Sequence, residues 1–498
     1  MTMSTRILST ILSAVLIVGL NASCGAENSE DHTLKDPIKI NTGYISGTII
    51  GDINKQVHIY RGIPYAEPPV GDLRWKPPQP AKPWTGIREC TTFGNSSPQP
   101  AEPVDISDGP LSEDCLYLNV LTPSVETTEK LPVMVWMHGG GYIRGSGSTY
   151  LYNLPGLPQN GIVLVTVNMR LGPIGLLAHP LLSRESPQGV SGNYMFLDMI
   201  AALEWVQRNI GFFGGDGDNV TIFGESGGGG KVNCLLASPL AKGLVNKGIF
   251  ESGAADGVPM KNLEEIGEKF FTGLGVDKDP DPLKAARALP WGKIMETDNS
   301  LSQELNVNSR LWDAAVDGWF LPDLPASIFR EGRQNPVPVI TCANLGELTG
   351  PGAILMPGVI PKYVNILNGV NKAGRKGFAC VFDQVPANWS NEGCVSFHGL
   401  ELAYVFGVWD NASPQWHAIF NFLAMEAGAK TPNPDPTDTD RQISRNMMAM
   451  WTRFAQTGDP NVDGVVTWPS YNSETDQYLY INESLQVKSG FSKVAQKE

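Results

Sequence analysis

The segment 219–230 constrains the fold of this chain more than any other, because a strand pattern, a serine and a helix pattern follow one another without a spacer. It reads Asn-Val-Thr-Ile-Phe-Gly-Glu-Ser-Gly-Gly-Gly-Gly, and its β-branched and aromatic residues 220–223 predict a buried strand. Residues 231–237 are compatible with a helix. A serine on a tight strand-to-helix turn needs small neighbours, and the free N–H groups of the helix attract negative charge. The pattern predicts that Ser226 is an exposed nucleophile; the alternative is a glycine-rich turn without chemistry.

A second glycine-rich segment follows another predicted strand. Residues 131–137 are apolar and run directly into His-Gly-Gly-Gly-Tyr at 138–142. Backbone N–H groups approach a substrate oxygen closely only where no Cβ intervenes, so a glycine triplet at a strand end suits an oxyanion-binding loop. An ordinary loop is the alternative, and the presence of the serine turn favours the oxyanion loop.

The order of elements predicts an α/β protein. The apolar run 162–167 predicts a strand, and apolar residues at helical spacing across 197–206 predict a helix between that strand and the serine turn. This alternation is typical of a large, mostly parallel central sheet flanked by helices. Residues 38–65 predict a small N-terminal antiparallel sheet, about 257–335 predicts helical cap insertions, and 378–382 predicts the last core strand.

Composition and charge exclude several classes of partner. The chain has 498 residues, of which 42% are hydrophobic, and its formal net charge is −14. That surplus of acid disfavours nucleic acids and anionic membrane surfaces. No interior apolar run is long enough to span a bilayer, and no cluster has the spacing of metal ligands. No metal or other cofactor is therefore expected.

The N-terminus predicts an exported protein. Arg6 precedes the apolar run 7–20, which ends in small residues, so residues 1–23 predict an export signal. Cys24 lies where a lipoprotein signal is cut and lipidated, and ordinary signal cleavage is the alternative. We expect a periplasmic, secreted or lipid-anchored protein that meets a membrane only through Cys24. The remaining expected segments are a tether at 24–37, a single catalytic domain at 38–490 and a tail at 491–498.

A serine becomes a strong nucleophile only when a base takes its proton, and that base is usually a histidine held by a carboxylate. Two histidines lie C-terminal to Ser226. His398 follows a predicted strand through a loop, whereas His417 lies in a segment with a helical pattern, where a packed or surface histidine is expected. His398 is therefore the predicted base.

The acid should follow a strand that lies between the serine and the histidine, because hydrolases with this serine turn carry their triad in the order nucleophile, acid, histidine. Glu347 lies just past the predicted strand 337–341. Asp383 is the alternative, although its strand leads to the histidine itself. Asp317 and Asp323 follow no predicted strand. Glu347 is the predicted acid.

These segments resemble the type-B carboxylesterase/lipase family, which includes cholinesterases and bacterial para-nitrobenzyl-type esterases. The resemblance extends from about residue 40 to residue 470, with the motifs in the family's order. The matching segments are RGIPYA at 61–66, SEDCLYLN at 112–119, HGGG at 138–141, FGGD at 213–216, TIFGESG at 221–227, ESG at 251–253, DG at 317–318, HGLEL at 398–402, VFG at 405–407, FAQTGDPN at 454–461 and WP at 468–469.

The resemblance implies an α/β-hydrolase fold with a catalytic triad and a backbone oxyanion hole. It also implies that Ser252 contacts the acid and that Glu225 favours the protonated histidine; a residue that only fills the turn is the alternative for Glu225. The residues implied for catalysis are Ser226, Glu347 and His398, with N–H donors at Gly140, Gly141 and Gly227.

The cysteines are expected to include disulfides, because six remain after Cys24 and the chain is predicted to be exported. The resemblance implies one pairing beside the entrance to the site, and a loop that approaches the catalytic histidine gains from a second staple. The expected states are a Cys90–Cys115 disulfide, a Cys380–Cys394 disulfide and buried free thiols at Cys234 and Cys342.

The sequence departs from the family in three respects. Gly-Glu-Leu stands at 346–348 where most relatives have Asp-Glu-Gly, and the interval from Glu347 to His398 is shorter than in relatives, which predicts a wider gorge. The loop 90–115 also lacks the tryptophan that stacks on choline in cholinesterases. A choline ester is therefore not the expected substrate.

We expect a serine carboxylic-ester hydrolase that acts through an acyl-enzyme on small to medium, uncharged esters. A lipase for longer acyl chains is one alternative, disfavoured because the loop 90–115 is rich in Pro, Ser and Asp rather than apolar. A non-catalytic binding protein on the same fold is the other, disfavoured because all three triad positions carry competent residues.

Overall fold

One sheet of eleven strands forms the centre of the chain. The computed structural model describes residues 34, 36–51, 55–101, 108–123, 128–307, 311–347, 358–410 and 414–494. The predictions for the export signal, Cys24, most of the tether and the end of the tail fall outside those residues. The described strands are β1 Ile38–Ile40, β2 Gly43–Ser46, β3 Thr48–Ile50, β4 Val57–Pro64, β5 Ile87–Glu89, β6 Tyr117–Thr122, β7 Leu131–Met137, β8 Val163–Val167, β9 Gly215–Glu225, β10 Lys247–Glu251, β11 Val258–Pro259, β12 Ala315–Val316, β13 Val339–Asn344, β14 Gly377–Phe382, β15 Gln477–Ile481 and β16 Leu485–Ser489.

Most neighbouring strands in this sheet are parallel, as predicted. The order across the sheet is β16, β15, β14, β13, β10, β9, β7, β8, β6, β4 and β3. The strands from β15 to β8 pair in parallel, and antiparallel pairs close both edges. Parallel strands are covered on both faces, which explains their near-continuous apolar sequences; all five residues of β8 are buried.

Helices cover both faces of the sheet. The alternation within β7 shows this, because Val133 and Val135 belong to one hydrophobic core and Met134 and Trp136 to the other. The described helices are α1 Gly172–Leu176, α2 Pro180–Glu185, α3 Tyr194–Asn209, α4 Gly227–Ala237, α5 Met260–Leu274, α6 Pro282–Ala288, α7 Trp291–Glu304, α8 Pro325–Glu331, α9 Val359–Lys372, α10 Ala387–Asn391, α11 Leu402–Val405, α12 Pro414–Glu426 and α13 Asp438–Thr457. Within the described part of the chain, no helix is long and apolar enough to cross a bilayer.

The segment expected as a cap contains the helices α5 to α8 and the two-stranded sheet of β11 and β12. Helix α5 packs through one apolar face, and the buried residues on that face are Leu263, Phe270, Phe271 and Leu274. A side chain at Gly267 would collide with the backbone carbonyl of residue 178, so α5 lies directly against the chain that leads into α2.

The edges of the sheet differ from the prediction. The N-terminal sheet is present, but it combines β1 and β2 in antiparallel with β5 in parallel, while β3 and β4 join the central sheet. Strand β14 was expected to be the last core strand, and this is wrong, because β15 pairs with it in parallel. Almost one hundred residues separate these two strands, so local pattern could not show that β15 supplies the hydrogen bonds that the edge of β14 requires.

The two disulfide predictions are also corrected, whereas Cys234 and Cys342 are buried free thiols as expected. All six described cysteines are buried free thiols. Cys380 faces Cys342 and not Cys394: these two residues share a register position on β14 and β13, and their Sγ atoms lie 2.6 Å apart. The Cys394 thiol instead contacts backbone carbonyls at the end of α12. The Cys90–Cys115 pairing is not formed; burial raises the pKa of Cys90 to about 12 and also raises the pKa of Cys115, which disfavours the thiolates that oxidation needs.

Candidate active site

Ser226 occupies a strained position between β9 and α4. Its φ is 58° and its ψ is −123°, a conformation that non-glycine residues rarely adopt. The Ser226 N–H donates to the carbonyl of Glu251 at the end of β10, 2.8 Å away, which fixes the turn against the neighbouring strand. The structure thus has the strand–serine–helix geometry that the sequence predicted.

The glycines at 227–230 allow the start of α4 to lie against the surrounding backbone. A Cβ on any of them would come closer than 3.0 Å to a neighbouring atom. The obstructing groups are the Gly141 N–H, the Met137 carbonyl, the Gly253 carbonyl and the Tyr142 hydroxyl, in the order of the four glycines. Four consecutive glycines are therefore a packing requirement of this turn.

The glycine loop after β7 lies beside the serine. Gly140 and Gly141 adopt φ values of 87° and 59°, which residues with a side chain rarely adopt. A Cβ on Gly139 would lie 3.4 Å from the Ser226 Cβ, and one on Gly227 would lie 2.6 Å from the Gly141 nitrogen. Gly141 and Gly227 therefore meet next to Ser226, and Gly140 precedes Gly141 in the same loop.

His398 lies between two carboxylates. Its Nδ1 is 2.5 Å from Glu347 Oε2, and its Nε2 is 3.0 Å from Glu225 Oε1. The other oxygen of Glu347 accepts a hydrogen bond of 2.9 Å from the Asn344 N–H at the end of β13. The predicted acid, Glu347, is thus held by a backbone N–H and contacts the predicted histidine. Glu225 also contacts His398 directly, whereas the resemblance implied only that Glu225 favours the protonated histidine.

The hydrogen bond between Ser226 and His398 is not among those formed in the described structure. The imidazole Nε2 contacts Glu225, the residue immediately before the serine. Serine and imidazole therefore belong to one site. Hydrogen bonds of this kind often tighten only when substrate is bound.

The electrostatics of the site favour the charged imidazole. Burial alone would lower the pKa of His398, but the carboxylates of Glu225 and Glu347 raise it well above its ordinary value. Burial and the charge of Glu347 also raise the pKa of Glu225, while the imidazolium lowers it. Both carboxylates therefore favour the imidazolium, whereas His398 must be neutral to take a proton from the serine.

Two further buried acids could not be identified from the sequence. Burial raises the pKa of Glu251 to about 8 and the pKa of Glu401 well above its usual range. Glu251 accepts a hydrogen bond of 2.7 Å from the Trp451 indole, and Glu401 accepts one from the Asn344 side chain. The sequence does contain one signal for them, because Glu251 precedes Ser252 in the segment ESG and Glu401 follows His398 in the segment HGLEL.

Ser252 does not make the contact that the resemblance implied. It is buried, with a φ of 48°, and its N–H donates to the Cys342 carbonyl at 2.8 Å. Its hydroxyl has no hydrogen-bond partner among the described residues. The rejected acid Asp383 accepts a hydrogen bond from Tyr480 on β15, and the rejected base His417 lies on α12.

A pocket of about 100 Å³ opens at the serine. Its lining includes Ser226, Gly141 and Tyr142 of the glycine loop, Trp312 and Lys362. Lys362 forms an ion pair of 2.7 Å with Asp256, which also lines the pocket. Among the described residues, no group of histidine, cysteine and acidic side chains is arranged to hold a metal ion. The arrangement suits nucleophilic attack by Ser226 on a small carbonyl compound.

Comparison with known proteins agrees with this geometry. The model of the carboxylesterase family matches residues 35–362 and 359–497. The chain is 31% identical to the para-nitrobenzyl esterase of Bacillus subtilis (strain 168) over 488 residues, which cover 89% of this chain and 95% of that protein. It is 40% identical to the fumonisin B1 esterase of Sphingopyxis macrogoltabida over 475 residues, covering 86% and 83%. The solved structure of a thermophilic PNB esterase superimposes with a TM-score of 0.78 at 30% identity, covering 92% of this chain and 98% of that one.

Proposed function

The chain belongs to the carboxylesterase family and hydrolyses ester bonds, and we propose that it does so through an acyl-enzyme on Ser226, with His398 as base and Glu347 as the acid that orients it. The observation that carries this assignment is the contact of 2.5 Å between His398 Nδ1 and Glu347 Oε2, beside the strained serine turn. That contact leaves Nε2 as the nitrogen that exchanges protons with the serine.

The proposed cycle has two halves. Neutral His398 takes the hydroxyl proton while Ser226 Oγ attacks the ester carbonyl, and the N–H groups of Gly140, Gly141 and Gly227 bind the oxygen that becomes negative. The imidazolium then protonates the leaving alcohol. Water attacks the acyl-enzyme by the same sequence of proton transfers, which releases the acid and restores the serine.

Glu225 controls how often this cycle can begin. Its carboxylate contacts the same nitrogen, His398 Nε2, that must accept the serine proton. We propose that Glu225 stabilises the imidazolium both in the resting enzyme and in the transition state, where the histidine carries the proton again. Glu225 therefore acts mainly on the pH at which His398 loses its proton and becomes available as a base.

The preferred substrates are proposed to be small to medium, uncharged esters. A pocket of about 100 Å³ next to the serine favours a short acyl group, and two of the three acidic and basic residues that line it, Lys362 and Asp256, are paired with each other. Fumonisin B1 is a second candidate substrate, because a relative named for that activity shares 40% identity over 86% of this chain. A long-chain lipase is the less favoured alternative.

A series of p-nitrophenyl esters from acetate to palmitate, with fumonisin B1 assayed in parallel by mass spectrometry, tests these assignments. We expect the highest kcat/KM with the shorter chains, and in Ser226→Ala a loss of turnover on the order of 10⁴ to 10⁶ with the fold intact. A maximum at palmitate would favour the lipase. Preference for fumonisin B1 over every simple ester would favour the second candidate, and no turnover by folded protein would favour a binding role.

Export is also proposed, with residues 1–23 as the signal. The mass of the mature N-terminus in cells that make the precursor distinguishes the two kinds of processing. A diacylglycerol adduct on Cys24 indicates a lipoprotein, and an unmodified N-terminus near residue 24 indicates ordinary cleavage. Retention of Met1 to Ser23 in the cell-envelope fraction contradicts export by this signal.

A further inference from the structure

Lys231 is a buried lysine at the back of the oxyanion loop. It is the first residue of α4 after the four glycines, and it is 0% exposed. Its Nζ donates a hydrogen bond of 2.7 Å to the carbonyl of His138, the residue that precedes the glycine loop. The same nitrogen lies 5.9 Å from the centre of the Tyr142 ring, which follows that loop. Lys231 therefore contacts the residues on both sides of Gly139–Gly141.

The lysine has no acidic partner to balance its charge. Among the described residues, no carboxylate forms an ion pair with Lys231, and burial lowers its pKa to about 7. A buried ammonium group without a counter-ion opposes folding, and a methionine of similar length would pack at this position without that cost. The position therefore retains a group whose charge is unfavourable for the fold, which points to a use in the chemistry.

We propose that Lys231 is a positioning residue for ester hydrolysis, which holds the His138 carbonyl and places positive charge behind the N–H groups of the oxyanion loop. This inference rests on the proposed serine mechanism. The His138 ring does not supply that charge, because burial and the nearby Lys231 hold its pKa well below the ordinary value and outweigh the hydrogen bond to the Gly139 carbonyl, which raises it. The ring is neutral, and Lys231 supplies the cation when it is protonated, below its pKa of about 7.

The charge acts mainly on the transition state. A substrate carbonyl is almost neutral when it binds, and its oxygen becomes negative only when the serine attacks. A buried positive charge behind the donors stabilises that oxygen more than it stabilises the bound ester, because a charge in the protein interior is only weakly screened. Loss of the charge should therefore lower kcat and leave KM nearly unchanged.

The test compares Lys231→Met with wild type on p-nitrophenyl acetate and with a trifluoromethyl ketone inhibitor. In the inhibited enzyme Ser226 Oγ bonds to the ketone carbon, the carbonyl electron pair becomes an oxyanion, and the serine proton passes to His398. We expect kcat to fall roughly 10- to 100-fold with KM within about twofold, and Ki for the ketone to rise by a similar factor.

Lys247→Met is the matched control. Lys247 is also buried, at the opposite end of β10 from Glu251, and its Nζ contacts the Asn219 side chain. Burial lowers its pKa to about 8. This variant also loses a buried lysine, and we expect kcat and Ki within about twofold of wild type, because its charge is remote from the oxyanion.

Each outcome supports or overturns the role of Lys231. A Lys231→Met enzyme with unchanged Ki, or with kcat and KM altered as much as in the control, overturns the inference. If this variant does not fold, Lys231→Gln, which keeps an N–H donor without charge, is measured in the same way. An unchanged Ki in Lys231→Gln, or failure of both variants to fold, assigns Lys231 to folding alone. An inactive wild type would instead refute the proposed function.

Discussion

At the scale of single residues, the candidate site depends on what surrounds each side chain. Ser226, Glu347 and His398 could be predicted because each follows a recognisable strand or loop in the order that this chemistry uses. The contact between His398 and Glu225 could not, because it depends on the rotation of an imidazole between two carboxylates. The position of Lys231 could be predicted only as part of a helix, since nothing local shows that its side chain is buried.

Replacement of Glu225 by glutamine should move the pH profile of the enzyme. The Glu225 carboxylate raises the pKa of His398, so its removal lowers that pKa and makes the neutral base available at lower pH. We expect the acidic limb of kcat/KM for p-nitrophenyl acetate to shift to lower pH in Glu225→Gln. A limb that stays in place, or one that moves to higher pH, contradicts the role given to Glu225.

Replacement of Glu347 by glutamine should affect rate rather than structure. The amide has the size of the carboxylate but carries no charge to stabilise the imidazolium, and it presents an N–H to His398 Nδ1 in one orientation. We expect kcat to fall by about 10⁴ with little change in melting temperature. Asp383→Asn is the control, because that acid contacts Tyr480 instead of the histidine, and equal losses in both variants would contradict the choice of Glu347.

At the scale of elements, the site depends on how closely helix α4 approaches the glycine loop. The sequence indicated a tight turn, but it did not show that a side chain on any of the four glycines would collide with neighbouring backbone or with Tyr142. It also gave the wrong partner for Cys380. The order of the strands in the sheet decides which cysteines meet, and neighbouring strands of a parallel sheet come from distant segments of the chain.

Gly228→Ala should disrupt this approach, and Gly292→Ala should not. Both glycines are the second residue of a helix, but a Cβ at 228 would collide with the Met137 carbonyl, whereas nothing lies within 4 Å of one at 292. We expect Gly228→Ala to lose activity and melt at a lower temperature. Gly292→Ala should keep full activity with a stability within about 1 kcal/mol of wild type. Equal behaviour in thermal melts and ester assays would contradict a packing requirement at Gly228.

Cys342 and Cys380 should form a disulfide when an oxidant is supplied. They share a register position on neighbouring strands, and their Sγ atoms lie 2.6 Å apart, so the two thiols are neighbours in the folded protein. With oxidised glutathione under mild denaturant, the two thiols lose two protons and two electrons, and the glutathione disulfide is reduced to two thiols. We expect a Cys342–Cys380 cross-linked peptide by mass spectrometry. A Cys380–Cys394 peptide would instead support the pairing expected from the sequence.

At the scale of the whole molecule, the sheet brings the site residues together. Strands β7, β9, β10 and β13 are neighbours, and their carboxyl ends carry the glycine loop, the serine, Ser252 and the acid. Parallel strands direct all their carboxyl ends to one edge, so a site at that edge could be predicted from the alternation of strands and helices. The order of the strands could not, because it is set by tertiary packing of segments far apart in the chain.

The most direct test of Ser226 as the nucleophile is covalent labelling with diethyl p-nitrophenyl phosphate, followed by peptide mass spectrometry. We expect one diethylphosphoryl adduct per chain, on the peptide that contains Ser226, which appears in proportion to the loss of ester hydrolysis and is absent from Ser226→Ala. Full inhibition with the adduct on a different residue, or continued hydrolysis by fully labelled enzyme, would contradict the assignment of Ser226 as the nucleophile.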